Sequence, residues 1–362
     1  MNLQCQCNSK RKDVITAIKF FDCFAGIGGF CSGLEQAGGF ECVGFCEIDT
    51  KAAAAYRAIY DTEKEAYYSD ITAIDTGTMP DFDLLVGGLP CQPYSVASPN
   101  RRGLDDPRGA LFFEFARIIK EKRPTAFFVE NVPFLLSHNS GKTYEKILGT
   151  FSELGYYVEW MVYNSSAFGL PQSRRRLYIV GYTDPKCAGK IFPVKCGAEK
   201  APKELIGGRQ GQRVYDISGS AVTQCASAGG WGGKTGLYFI DLNPDPQLTE
   251  KARCLIARYD SGIGNHKGVN SGVFIEGNDP KAISFYDKDG NFRVGRIRKL
   301  MPCESWKLQG FTQEQFDKVA ALGLSDGHLY RLAGNAVSVP VIKAIGKKIR
   351  DVIFNEGGEK YA

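Results

Sequence analysis

Nowhere does the sequence hold the run of about 20 apolar residues that a membrane-spanning helix needs. Its first residues, Met1 to Asp13, are polar and lack the apolar centre of a secretion signal. The cysteines form no paired Cys-x-x-Cys units, which argues against a structural zinc site and leaves no metal to expect. Twelve cysteines among 362 residues are many, yet they are scattered, and Cys5 and Cys7 stand one residue apart in a polar arm. They read as reduced thiols of an intracellular, cytoplasmic protein. Nor is there a strong excess of one charge. The formal net charge is +5, from 45 Lys and Arg against 40 Asp and Glu, which permits a polyanionic partner without demanding one. What is present is an ordinary core, 43% hydrophobic residues, over a length sufficient for two domains.

One stretch organises the rest: Gly87-Gly88-Leu89-Pro90-Cys91-Gln92-Pro93-Tyr94-Ser95. The apolar run Phe82 to Val86 predicts a short buried strand in front of it. In an open α/β sheet, ligands collect at the carboxyl ends of strands, so Cys91 is a candidate nucleophile. A buried, inert thiol is the competing reading.

Upstream, Ala17 to Phe21 is apolar and β-prone. It runs into Asp22-Cys23-Phe24-Ala25-Gly26-Ile27-Gly28-Gly29-Phe30, after which Phe30, Leu34 and Ala37 mark one face of a helix. Strand, glycine turn and helix open a nucleotide-binding βαβ unit. The glycines let backbone approach a ligand, and the helix start offers free N–H groups. A second strand, Glu41 to Cys46, ends at Glu47-Ile48-Asp49. Glu47 lies about 20 residues past the turn, where a carboxylate accepts from ribose hydroxyls. Asp70 follows a weak strand around Tyr67. These acids also read as caps, Asp49 for an Ala-rich helix over 51–60. Together they favour an adenosine-containing ligand, and the spacing of the turn argues against NAD.

Past Cys91, the polar run 100–109 carries Arg101 and Arg102, which either meet phosphates or line a solvated loop. Ala110 to Ile119 predicts a helix with a core-facing side. Thr125 to Val129 is an apolar strand ending at Glu130-Asn131-Val132, level with Cys91. A carboxylate desolvated there can give or take a proton near neutrality, or serve as a structural acceptor. A helix over Thr143 to Leu154 and a strand over Tyr157 to Asn164 lead to Gln172-Ser173-Arg174-Arg175-Arg176 and a strand, Leu177 to Gly181. Alternation puts Arg174 and Arg176 on one face and Arg175 on the other. Such a pair orients a carboxylate and binds phosphate, or else belongs to a solvated patch.

From Asp184 to about Asn291 the texture turns to Gly, Lys, Arg and Asp with short β-like runs, Gly236 to Ile240 and Ser271 to Ile275 among them. This predicts a separate irregular β-rich domain. Its Trp231, Lys234, Arg258, Tyr259, Asn265, His266 and Lys267 suit a nucleic-acid groove, or are ordinary loop residues. Arg298 to Phe311 reads as a turn and a short helix, Glu314 to Leu322 as a helix, and Ser338 to Ile353 as a closing helix after Tyr330 to Val337.

Taken in order, these motifs resemble those of the bacterial-type DNA (cytosine-5-)-methyltransferases over nearly the whole length. Phe24 to Gly29 is similar to the family's cofactor turn, Pro90-Cys91-Gln92 to its nucleophile loop and Glu130-Asn131-Val132 to its second catalytic motif. Gln172-x-Arg174-x-Arg176 is similar to its paired-arginine motif, and Arg298 to Phe311 to the scaffold of its recognition domain. Gly334-Asn335-Ala336-Val337 resembles its closing motif. The resemblance implies an α/β fold: a Rossmann-like, doubly wound mixed sheet of the S-adenosylmethionine-dependent type with a small irregular β-rich target-recognition domain. Residues 1–183 plus 328–362 would form the catalytic and cofactor-binding domain, and 184–327 the recognition domain with its hinge.

The resemblance also implies chemistry. Cytosine is flipped out of duplex DNA. Cys91 adds to its carbon 6, Glu130 holds and protonates the ring, Arg176 holds the base carbonyl, and Arg174 holds the flanking phosphate and the loop. Phe24, Ala25, Gly26, Gly28, Gly29, Glu47, Ile48, Asp70, Ile71, Pro90, Leu111, Asn335 and Val337 would surround S-adenosylmethionine, which leaves as S-adenosylhomocysteine. Gln92, Ser95, Arg101, Arg108, Thr223, Arg258 and Tyr259 would touch DNA. A monomer with no membrane partner is implied, protecting DNA from a separate cognate restriction endonuclease or marking it. Departures are small. Ala336 replaces a frequent serine, Leu89 a frequent aromatic, and Gln224 follows Thr223 where leucine is frequent. An RNA cytosine methyltransferase of the same fold and a non-catalytic DNA-binding relic are the rival readings. The long Gly-rich middle region speaks against the first and the intact Cys91, Glu130, Arg174 and Arg176 against the second.

Overall fold

Apolar runs become strands wherever both faces of a sheet are covered, and this chain has several: Ile18–Cys23 (β1), Phe40–Cys46 (β2), Ala66–Tyr68 (β3), Leu84–Gly88 (β4) and Ala126–Asn131 (β5), followed by Tyr157–Asn164 (β6), the short Gln172–Ser173 (β7) and Arg175–Tyr182 (β8). The computed structural model describes residues 17–90, 107–199, 201–207, 213–216, 219–223, 237–241, 283–286, 289–298 and 300–355. A seven-stranded sheet runs in the order β3-β2-β1-β4-β5-β8-β6. The first five strands are parallel, and β8 and β6 are antiparallel additions at one edge. The order reverses at β1, with β2 on one side and β4 on the other, which makes the carboxyl ends of β1 and β4 the switch point where ligands bind.

Alternating side chains feed two cores. Phe20, Val86, Phe128 and Val180 face helices α1 (Gly29–Ala37) and α8 (Val339–Ile349), packing on Phe30, Leu34, Ile342, Ile345 and Ile349. Phe21, Leu85, Phe127 and Ile179 face α3 (Pro107–Lys122) and α4 (Lys142–Glu153), packing on Phe115, Ile118, Ile147 and Phe151. α1 and α8 come from distant parts of the sequence yet touch closely, since a Cβ on Gly33 would lie 2.5 Å from Ile342. Pro107 opens α3 three residues before the expected start, a position that tolerates its missing N–H.

A third core joins α2 (Thr50–Ile59) to α5 (Pro302–Lys307), α6 (Gln313–Ala320) and α7 (Asp326–Asn335) through Ala52, Ala55, Trp306, Val319, Leu329 and Leu332. Cys187, Ile191, Phe192 and Val194 likewise join the core beneath α1 and α8. Residues on both sides of 184 and of 327, the limits expected for the second domain, thus share buried clusters. Composition marks where regular elements stop, not where the core does. Between them lies a five-stranded sheet of order β13-β14-β12-β10-β9. Its strands are β9 (Glu204–Ile206), β10 (Val214–Asp216), β12 (Leu237–Asp241), β13 (Ile283–Tyr286) and β14 (Phe292–Arg298). β11 (Ala221–Val222) instead pairs with β7. The run Ser271 to Ile275 lies outside the described residues.

Candidate active site

At the end of β1 the backbone enters the left-handed region three times, at Phe24 (φ 57°), Gly26 (58°) and Gly28 (76°). For Phe24 this costs about 1–2 kcal/mol, held by the surrounding turn. A Cβ on Gly28 would strike the Tyr60 ring at 2.2 Å, and one on Gly29 would meet Val337 at 2.6 Å. The Tyr60 hydroxyl donates to Gly28 O at 2.6 Å and lies 2.6 Å from Ser32 Oγ. A Cβ on Gly26 would meet nothing within 4 Å. The turn is thus backed by Tyr60 and Val337 and open at Gly26.

Beneath it sits Asp22, fully buried, with neither carboxylate oxygen hydrogen-bonded. Burial, with Glu65 and Glu47 adding to it, pushes its pKa well above the ordinary carboxylate range. Glu47 reaches back to the turn. Its Oε2 accepts from Gly26 N and its Oε1 from Asp49 N, both at 2.8 Å. Burial raises its pKa, against the pull of those two N–H groups. Ile48 beside it is 71% exposed, a bare apolar surface at the rim. Asp49 caps α2 through Lys51 N and Ala52 N. Asp70 caps a short 3-10 turn through Thr72 N and Oγ1, using Oδ1 alone, with Ile71 buried behind it. The capping readings hold for both acids and leave further oxygens turned elsewhere.

The other half of the rim begins at β4. Gly88 pairs with Glu130 in the β4–β5 ladder, and Cys23 with Gly87 in the β1–β4 ladder. The segment Leu89-Pro90 that leads to Cys91 therefore departs beside Glu130. Glu130 is 6% exposed. Arg176 Nε stands 3.0 Å from its Oε1 as an ion pair, although the N–H is not aligned for a hydrogen bond to that oxygen. Tyr178, opposite Glu130 on β8, is buried. Burial and then the Glu130 charge hold its phenol far up in pKa.

Arg174 goes elsewhere. It is 3% exposed, and its Nη2 donates to Gly334 O at 3.2 Å and Ala336 O at 2.9 Å. These carbonyls end α7, where a helix runs out of internal donors. The guanidinium is thus bonded to the closing segment. Arg175 points outward, as the alternation predicted. Thr223 Oγ1 donates to Ser173 O at 2.7 Å, next to Arg174. Asn335 is exposed and Val337 buried against Gly29. Leu111 and Pro90 are half-buried. Cys91, Gln92, Ser95, Arg101, Arg258 and Tyr259 lie outside the described residues, as does the side chain of Arg108.

Asp22, Tyr60 and Arg331 were missed from the sequence. For Asp22 a signal existed, an acid closing an apolar strand just before a glycine turn. Tyr60 and Arg331 reach the site across the fold, and no local pattern points to them. Among the described residues no helix is long and apolar enough to cross a membrane, and no three His, Cys, Asp or Glu side chains converge as a metal site.

The sequence pattern of the C-5 cytosine-specific DNA methylase family matches residues 18–351. The chain is 44% identical to the Type II methyltransferase M.NlaIV of Neisseria lactamica, covering 92% of this chain and 98% of that one. It is 36% identical to the Type II methyltransferase M1.ScrFI of Lactococcus lactis subsp. cremoris, with coverages of 92% and 78%. The fold is similar to that of the Entamoeba histolytica methyltransferase EhMeth, with TM-score 0.63 at 18% identity over 95% and 99% of the two chains. It is also similar to the S. pombe Dnmt2 methyltransferase, with TM-score 0.64 at 16% identity over 93% and 100%. With nearly its whole length matched and its glycine turn, Glu130 and Arg176 set on one rim of the sheet, the chain belongs to the C-5 cytosine-specific DNA methylase family.

Proposed function

We propose that this protein methylates carbon 5 of a cytosine flipped out of duplex DNA at a short specific sequence, inside the cell, with S-adenosylmethionine as methyl donor. The observation that carries this reading is the shared rim. The chain leaves β4 toward Cys91 beside Glu130, with the open glycine turn one strand away.

Carbon 5 of cytosine is a poor nucleophile. The Cys91 thiolate adds to carbon 6 while Glu130 holds ring nitrogen 3 and the exocyclic amine and gives nitrogen 3 a proton, so the ring becomes an enamine. Arg176 holds the base carbonyl and, through its ion pair, the orientation of Glu130. S-adenosylmethionine, when bound, supplies an electrophilic methyl group and leaves as S-adenosylhomocysteine. The carbon 5 proton passes to solvent as the thiolate is expelled, and nitrogen 3 returns its proton to Glu130, so both Cys91 and Glu130 are restored. The donor is held by Glu47 at the ribose, Asp70 at the adenine amine, Ile48 and Ile71 at the ring faces, and Asn335 and Val337 at the closing side. Three features support its fit: the space above Gly26, the uncovered face of Ile48, and the unpartnered carboxyl of Asp22, which a positively charged donor would answer. Arg174 bears on this pocket by holding the carbonyls on either side of Asn335.

The test is covalent trapping on duplex DNA in which 5-fluorocytosine replaces cytosine. Incubated with S-adenosylmethionine, the protein forms a complex that survives denaturation, and Cys91→Ala forms none. A wild-type protein that leaves no adduct, or that methylates transfer RNA but not duplex DNA, overturns the proposal.

A further inference from the structure

The Glu47 carboxylate does not hold its position alone. Its Oε1 accepts from Asp49 N at 2.8 Å, which bends the chain after β2 into a tight loop. Asp49 is pinned from two sides. Its Oδ1 accepts from Lys51 N at 2.9 Å and Ala52 N at 3.3 Å, and its Oδ2 accepts from Arg331 Nη2 at 3.0 Å. Arg331 lies 282 residues away on α7. A second bridge runs parallel: Lys51 Nζ donates to His328 Nε2 at 2.7 Å, and Ser325 Oγ faces His328 Nδ1 at 2.7 Å. Both bridges tie the start of α2 to α7, over a contact already packed by Ala52, Ala55, Leu329 and Leu332.

Arg331 and Asn335 are four residues apart on that helix and share a face. One helical face thus carries the anchor of the ribose loop and, one turn on, the residue that closes the pocket. We propose that Arg331 is a positioning residue for ribose recognition: through Asp49 it fixes the Glu47 carboxylate, without touching the ligand. The inference rests on the cofactor reading above. The Arg331–Asp49 pair is half-exposed, with side chains 42% and 35% accessible, so its loss costs little stability. What is lost is the aim of the carboxylate.

Calorimetric titration of the full chain with S-adenosylhomocysteine and with its 2′-deoxyribose analogue separates aim from general weakening. In the wild type the ribose compound binds more tightly. Arg331→Gln weakens it by about two- to fivefold and brings the ratio of the two affinities toward one, while Arg331→Lys keeps part of the ratio. A purely structural role would weaken both ligands alike and leave the ratio unchanged, which overturns the inference. Raising the salt concentration screens the same pair in the wild type and lowers the ratio without any substitution; a salt-independent ratio also overturns it. A wild-type protein that binds neither compound overturns the cofactor reading itself, and this inference with it. One that binds both equally leaves that reading standing and overturns only the ribose role.

Discussion

Glu130→Gln removes the charge that Arg176 faces at 3.0 Å. Both side chains are largely buried, so the guanidinium is left without a counter-charge, a situation that costs about 3–5 kcal/mol. On the mechanism proposed above, methyl transfer falls by about 10²- to 10⁴-fold, since Gln cannot give ring nitrogen 3 its proton. The double variant Glu130→Gln with Arg176→Met recovers part of the urea midpoint but none of the rate, which separates the two contributions. A second residue reports through pH. Burial pushes Glu65 from 4.5 up to about 7, against hydrogen bonds from Cys42 and Tyr56. Its pKa is raised on folding, so the folded chain keeps a proton that the unfolded chain has already lost above pH 4.5. The stability it contributes is present below that pH and is lost as pH rises through 7. Melting temperatures measured across this window should fall more steeply with pH in the wild type than in Glu65→Gln. At this scale the sequence was readable where a residue acts on its neighbours: Asp49 as the α2 cap follows from four consecutive letters. It was unreadable where the partner is remote, and the bonds of Arg174 to Gly334 and Ala336 span 160 and 162 residues.

Among the elements, the glycine turn gives the sharpest contrast. Gly28→Ala puts a methyl group into the Tyr60 ring at a φ of 76°, and backbone strain plus overpacking should cost about 2–4 kcal/mol. Gly26→Ala meets no neighbour, so its cost is confined to the backbone, about 1–2 kcal/mol. Its methyl group projects instead into the space proposed for the donor. Thermal unfolding should single out Gly28→Ala, and S-adenosylhomocysteine titration should show binding lost in Gly26→Ala while the fold persists. β1, β4, β5 and β8 were legible because burial on both faces makes them continuous apolar runs, whereas the short strands β9, β10, β13 and β14 carry no such run and went unread. α7 was not legible either: Gly327 and Gly334 interrupt it, and its buried Leu329, Leu332 and Ala333 make too short a stripe to stand out. What holds it is packing against α2 and Trp306, whose Nε1 donates to Leu329 O at 3.0 Å.

At the scale of the whole molecule, the sheet order was beyond the sequence. β1 pairs with β4 across an intervening βαβ unit, and α8 returns to cover β1 from beyond the second sheet. Neither adjacency leaves a local trace, whereas the order of the motifs is written in the sequence itself, and the family pattern matches it over residues 18–351. The prediction at this scale concerns α8. Ile345 is fully buried, and Ile345→Ala should lower global stability by about 2–5 kcal/mol. If the large unit unfolds as one body, hydrogen-exchange protection of β1 amides should drop by the same free energy as that of α8 amides.

The packing of α8 on α1 also sets a timetable for biosynthesis. A ribosome delivers the glycine turn early, yet the helix packed behind it arrives only after the second sheet has been translated. Nascent chains therefore leave the apolar face of α1 uncovered, and the core beneath it closes only once α8 has been made.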